Sequence, residues 1–263
     1  CIGKEMICLL EGDDKTGRHL VFRTPYMQQC IIEKPDYKYD YTIMLYMCAS
    51  TLEYDNREKI GLFSSDIIEI LSVRNLPDTV KIIIETGGTK KWYLPSTAID
   101  GKDNISATIL QRWEVVPVSS SYKVTDPYSD DSVTCYNKLK WVEDLSTNKM
   151  SESSSFQSFL TWGLNDYSAD QMGVIISGHG GGVGGCAYDD NNNQYSLTTK
   201  DVYSASKSAL DASSRDKFTW IGYDACLMAC ADLATINADY YEYMICSQES
   251  EPGDGWAYDK WVP

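Results

Sequence analysis

The chain has 263 residues and a mass of 29.6 kDa; 43% of its residues are hydrophobic, and its formal net charge is −15 with a pI near 4.5. That length and apolar content can build a sizeable core in one α/β domain with at most a small extension. The charge excludes nucleic acid and anionic membrane surfaces as partners, since both need phosphate-facing clusters of Lys and Arg; it suits basic peptides or cations, and a purely solubilising role explains it equally well.

The nine cysteines, Cys1, Cys8, Cys30, Cys48, Cys135, Cys186, Cys226, Cys230 and Cys246, are odd in number and contain no C-x-x-C pair. Neither a zinc ribbon nor a dense disulfide scaffold is indicated. Cys48 and Cys246 lie in apolar runs and read as small buried hydrophobes. No apolar run approaches the roughly 18 residues that a membrane-spanning helix needs. The chain begins with Cys1 rather than Met, which fits a mature form or a fragment; a lipid-modified Cys1 has only that one residue in its favour.

Residues 1–38 are expected to be an N-terminal extension, with 7–10 and 19–23 pairing as short strands across the turn-forming stretch 12–17, and Pro25 and Pro35 breaking the pattern. From residue 39 the pattern is regular, and 39–263 is expected to be one domain, with room for truncation at its C-terminal end. Residues 41–47 predict a strand, 64–73 a helix with Ile67, Ile68, Ile70 and Leu71 on its apolar side, and 80–85 a strand ended by Gly87 and Gly88. Such a unit implies a right-handed parallel crossover.

The middle third predicts a hairpin outside the main sheet at 105–118, around Arg112, Trp113 and Glu114, then a polar loop at 119–131 and a helix at 133–145. A second helix at 155–165, with serines 153–155 able to supply the N-cap, has Phe156, Phe159, Leu160 and Leu164 on one face. After it come a strand at 173–177, an exposed Asp/Asn-rich hairpin tip at 189–193, and a helix capped by Thr198 or Thr199. A strand at 218–223, a helix at 227–237, a strand at 243–247 and a loop at 251–256 complete the pattern. This succession predicts the α/β class: a three-layer α/β/α sandwich around a mostly parallel central sheet.

Two strand ends carry the chemistry. Residues 172–185 read M-G-V-I-I-S-G-H-G-G-G-V-G-G and place His179 just past a buried strand; residues 220–228 read W-I-G-Y-D-A-C-L-M and place Cys226 likewise. The C-terminal edge of such a sheet is where open α/β folds bind ligands. A cysteine nucleophile needs a nearby base, and imidazole is the common side chain that titrates near neutrality. Of the two histidines, His19 lies in the extension, while His179 sits among glycines that allow close approach of a substrate backbone. A helix starting near Leu227 would add its dipole to a Cys226 thiolate and turn backbone N–H groups toward an oxyanion. Taken alone, Cys226 would read as a small buried residue; the pairing with His179 shifts the balance.

The segments at 41–47, 175–182, 224–228 and 251–256, the last reading E-P-G-D-G-W, together resemble the clostripain family of cysteine endopeptidases, in the clan of caspases, legumain and gingipains. The resemblance runs from about residue 39 to 256 and implies a caspase-like fold. It implies His179 as general base and acid, Cys226 as nucleophile forming an acyl-enzyme, and the N–H groups of Gly180 and Cys226 as the oxyanion hole. It also implies polypeptide substrates with Arg or Lys before the scissile bond, and an extracellular or cell-surface bacterial location. Asp224 is one candidate for the pocket that takes that basic side chain and Asp254 a second, since a carboxylate pairs bidentately with guanidinium. Asp224 also reads as a helix N-cap and Asp254 as a turn residue.

The chemistry itself requires no cofactor. Clostripain needs calcium; Asp189-Asp190 or Asp130-Asp131 would offer oxygen ligands, but no spaced calcium loop is present. Family members are often cut between the histidine and the cysteine after a basic residue, yet residues 189–195 contain no Lys or Arg, and Lys149 is the more accessible candidate.

Competing readings are weaker. Residues 180–185 fit G-x-G-x-x-G, but a dinucleotide site needs a helix to follow. His179, Cys186, Cys226 and Cys230 have poor zinc spacing, and no G-x-S-x-G accompanies the His-Gly run. The alternative from another class is a catalytically inactive, protease-like binding module.

Overall fold

The computed structural model describes residues 7–13, 17–23, 29–32, 37–56 and 58–262. Two compact units divide the chain, Cys1–Tyr37 and Lys38–Pro263. In the first, Ile7–Asp13 pairs antiparallel with Gly17–Arg23, as the flanking apolar runs predict, and Gln29–Ile32 adds a third strand. Cys1, the turn residues Asp14, Lys15 and Thr16, and Pro25 and Pro35 lie outside the described residues.

The second unit runs β1 (Tyr39–Cys48), α1 (Leu62–Ser72), β2 (Val80–Gly87), β3 (Gln111–Thr125), β4 (Ser132–Asp144), α2 (Ser153–Asp166), β5 (Ala169–Ser177), α3 (Thr199–Asp211), β6 (Phe218–Asp224), α4 (Ala231–Asn237) and β7 (Tyr241–Ile245). The sheet order is β7-β6-β5-β1-β2-β3-β4, with the two-residue strand Ile99–Asp100 beside β4. The first five strands are parallel and β3 and β4 antiparallel.

Successive residues of a strand face opposite sides, and the central strands are apolar on both. Met44, Tyr46, Val174 and Ile176 pack with Phe156 and Phe159 of α2 and Val202 of α3. Ile43, Leu45, Ile84 and Ile175 pack on the other face with Ile67 and Ile68 of α1. The result is the three-layer sandwich expected. Thr198 caps α3 through a capping box with Asp201, satisfying two helix-end N–H groups.

The middle third differs from the sequence expectation. Residues 105–118 do not form a hairpin outside the sheet: β3 joins it, with Ile83, Ile84, Glu85 and Thr86 opposite Glu114, Trp113, Arg112 and Gln111. The expected loop at 119–131 shrinks to the turn after Thr125, and the expected helix at 133–145 is β4. Val133, Tyr136, Leu139 and Val142 mimic a helical stripe, but Cys135, Asn137 and Leu139 are the buried ones. Pairing along β3 imposes the period of two. Pro117 is accommodated because β2 covers β3 only over residues 111–114.

Candidate active site

Ser177 and Asp224, the last residues of β5 and β6, are partners in parallel register, so the chain leaves both strands at one sheet edge. Gly178, at φ 149°, donates its N–H to the Asp224 carbonyl at 3.1 Å and turns the chain into His179. The glycines beyond do not open a helix. Ala187 N–H bonds the His179 carbonyl at 3.0 Å and Gly181 N–H the Gly185 carbonyl at 2.9 Å, folding the run back on itself through one 3-10 turn, Gly182–Gly184. A dinucleotide site is thereby excluded.

Gly180 is fixed by its surroundings. A Cβ there would lie 2.2 Å from the Cys226 carbonyl oxygen and 2.9 Å from the Cys226 nitrogen. The backbones behind His179 and Cys226 therefore touch. Neither the Gly180 nor the Cys226 N–H meets a protein acceptor among the described residues.

Cys226 does not start a helix, contrary to expectation. Leu227 adopts φ 66°, residues 227–230 are non-helical, and α4 begins only at Ala231. Leu227 N–H is consumed by the Glu249 carbonyl at 3.0 Å and Ala229 N–H by the Ser247 carbonyl at 2.8 Å, so the segment runs antiparallel to 247–249. The helix-dipole argument for the thiol thus fails. The donor that reaches Cys226 Sγ is the Glu251 N–H, at 3.3 Å.

His179 Nε2 lies 2.9 Å from Thr51 Oγ1. Thr51 sits on the helical turn Ser50–Glu53 after β1, which the sequence did not mark as functional. Glu53 anchors that turn: its carboxyl accepts Ser64 N–H at 3.0 Å, Ser64 Oγ at 2.5 Å and Tyr93 N–H at 2.8 Å. Burial lowers the pKa of His179, favouring the neutral imidazole that a base requires.

A cavity of about 170 Å³ is lined by His179, Cys226, Asp224, Asp66, Glu251 and Phe63, among others. Asp224 is not a helix cap: it is buried, and Oδ2 accepts from Ser177 Oγ at 3.1 Å and Tyr258 Oη at 2.8 Å. Gly255 lies over it so closely that a Cβ would stand 3.0 Å from both carboxylate oxygens. Burial raises the Asp224 pKa. Glu251 lies against Asp224; burial and then the Asp224 charge push its carboxyl up to about 7, against the Trp256 indole N–H that bonds Oε1 at 3.3 Å. With both ionised neither can donate, and Glu251 Oε2 is buried without a hydrogen-bond donor.

Asp254 is exposed; the cavity wall is formed by its neighbours Gly253 and Gly255 rather than by its own side chain. Sequence reasoning missed Asp66 and Glu251. Glu251 stood in the recognised loop, and Asp66 was legible as the one acid among Phe63, Ile67 and Ile70 on the apolar side of α1.

The calcium candidates do not fit a calcium ion. Asp189 is buried, not at an exposed tip, and its oxygens are taken by Asn191 N–H at 2.9 Å, Met150 N–H at 2.9 Å and Asn192 Nδ2 at 2.7 Å. Asp190 pairs with Lys90 at 2.9 Å, and Asp130 and Asp131 are exposed, Asp130 standing 4.0 Å from Lys59. No group of three or more His, Cys, Asp or Glu side chains is placed to hold a metal ion among the described residues. No helix among them is long and apolar enough to cross a membrane.

The α/β sandwich around this mostly parallel sheet is similar to solved structures of C11 cysteine proteases. One, a secreted enzyme from Bacteroides thetaiotaomicron in complex with an irreversible peptide inhibitor, is 17% identical with a TM-score of 0.60, covering 86% of this chain and 53% of its own. A second structure of a secreted C11 cysteine protease from that organism, "iotapain", gives 17%, 0.56, 84% and 56%. An inactive zymogen C11 protease from Parabacteroides distasonis gives 16%, 0.56, 88% and 54%. This chain therefore spans about half the length of the structures it matches. The family model of the clostripain family, peptidase C11, matches residues 46–262, and the chain belongs to that family. Comparison with curated proteins gives no match.

Proposed function

We propose that this chain is the catalytic unit of a cysteine endopeptidase that cleaves after Arg or Lys outside the bacterial cell. The observation that carries this is the single cavity walled by His179, Cys226 and buried carboxyls. His179, tied at Nε2 by Thr51, uses Nδ1 to take the thiol proton. Sγ of Cys226 attacks the peptide carbonyl carbon, and the resulting oxyanion meets the two idle N–H groups of Gly180 and Cys226. His179 then protonates the departing amine, leaving a thioester, and activates the water that hydrolyses it. The Glu251 N–H supports the thiolate as a charge-assisted donor.

Asp224 and Glu251 supply negative charge for the basic side chain, and the exposed Asp254 adds to it at the loop surface. The secreted neighbours support the extracellular placement. The test is a panel of fluorogenic peptides varied at the residue before the bond, run on wild type, Cys226→Ala and Asp224→Asn. The mechanism requires loss of all hydrolysis in Cys226→Ala, and the pocket requires that Asp224→Asn lose Arg and Lys substrates selectively. Hydrolysis surviving in Cys226→Ala, or a wild type that binds peptides without cutting any, would favour the inactive binding module.

A further inference from the structure

Most buried carboxyls in this unit find donors, although Glu85 Oε1 and Glu251 Oε2 have none of their own. Glu53 has three donors, Asp126 accepts Tyr128 N–H, Ser129 N–H and Ser65 Oγ, Asp189 has three donors, Asp224 two hydroxyls and Glu85 the Arg112 guanidinium. Asp66 is only 6% exposed, yet no hydrogen bond or ion pair reaches it among the described residues. It projects from the apolar face of α1 into the cavity shared by His179 and Cys226. Burial first, and then the neighbouring charges of Asp224, Glu69, Glu53 and Asp254, push its carboxyl well above the usual range. Burying a carboxyl without donors among like charges costs stability. An orphan of this kind calls for an explanation, and the open side of Asp66 faces the place a substrate side chain must occupy.

We propose that Asp66 is a specificity-determining residue: the third carboxyl of the cavity, which receives the cationic end of the substrate side chain preceding the scissile bond. This rests on the peptidase reading above and adds a wall to it. Asp224 lies at the end of β6, Glu251 on the loop after β7, and Asp66 comes from α1, a separate part of the chain, so a guanidinium entering between them finds acceptors on different sides. The bound cation supplies the donors that the folded protein withholds from Asp66.

The test measures kcat and KM on substrates ending in Arg, Lys and norleucine for wild type and Asp66→Asn, together with Tm with and without benzamidine as an amidinium probe. Asp66→Asn is expected to lower kcat/KM for Arg and Lys about tenfold to hundredfold, the range of one charge-assisted hydrogen bond, mainly through KM. Norleucine cleavage should stay unchanged, Tm unchanged or higher, and benzamidine should raise Tm in wild type only. Equal loss on all three substrates, or no loss on any, overturns the role of Asp66; so does an equal benzamidine shift in both proteins. A wild type that does not prefer Arg and Lys over norleucine overturns the basic-pocket reading itself, which separates the two failures.

Discussion

Thr51 Oγ1 stands 2.9 Å from His179 Nε2, so one nitrogen of the proposed base is held by a hydroxyl from a different sheet strand's loop. Thr51→Val keeps the shape and removes the bond. It is expected to lower kcat about tenfold, part of the roughly 10²–10⁴ that general acid–base catalysis supplies, with little change in KM. Thr51→Ser should keep most activity. Steady-state kinetics on the three proteins decides; full kcat in Thr51→Val would show that the hydroxyl does not orient the ring.

Gly180→Ala is expected to abolish hydrolysis and to cost about 1–3 kcal/mol of stability, because the new methyl would fall 2.2 Å from the Cys226 carbonyl oxygen. Denaturant unfolding and alkylation of Cys226 by iodoacetamide report the two effects separately.

Activity toward basic substrates should depend on Glu251 ionisation. Its carboxyl is held up to about 7, so the pocket gains negative charge as pH rises through that value. A cation prefers the ionised form, and kcat/KM for an Arg substrate should rise across about pH 7 while a norleucine substrate shows no such step. Glu251→Gln should remove the step. The linkage to stability has the opposite sign: a folded pKa above the unfolded one makes Glu251 favour folding at low pH, and that contribution is lost as pH rises toward 7. A pH profile of Tm for wild type and Glu251→Gln measures it.

Far from the site, Arg112 bonds Glu85 at 2.8 Å, Glu143 at 2.7 Å and Ser158 at 2.8 Å, and Glu85 is fully buried. Arg112→Ala is expected to cost about 3–5 kcal/mol by stranding Glu85, whereas Glu85→Met with Arg112→Met should recover most of the loss. Burial already holds Glu85 at about 7, so the single variant should be less damaged at acid pH, where the carboxyl takes a proton. Thermal melts at two pH values test this.

Self-cleavage within residues 189–195 is not expected. The segment has no basic residue, and Asn191 and Asn192 bond the carbonyls of Thr89, Ala107 and Asn148. Lys149 is half exposed, but the bond after it leads into buried Met150, whose N–H is tied to Asp189. N-terminal sequencing of fragments from active protein would expose a cut in 189–195 if one occurs.

The central parallel strands were legible because both faces of each are apolar, and Asp224 through the family resemblance, two residues before the proposed nucleophile. The β3–β4 hairpin was not, since the stripe Val133, Tyr136, Leu139 and Val142 has a helix's spacing and only long-range pairing overrides it. The start of α4 was misplaced for a similar reason: Leu227 and Ala229 spend their N–H groups on the 247–249 segment, a contact no local pattern announces. Thr51, Asp66 and Glu251 matter by where three distant segments converge, and spacing along the chain carries little of that.

The register of β5 on β6 extends to their final residues, Ser177 beside Asp224, and the chains beyond remain in contact at Gly180 and Cys226. Sliding one strand past the other would break the ladder, so an off state made by misaligning base and nucleophile would carry a heavy penalty. Silencing this unit is cheaper by obstruction. Among the described residues, the turn at 50–53 and the loop at 247–256 reach the pair from outside the sheet. A latent form built on this frame would be a blocked entrance with its chemistry already assembled.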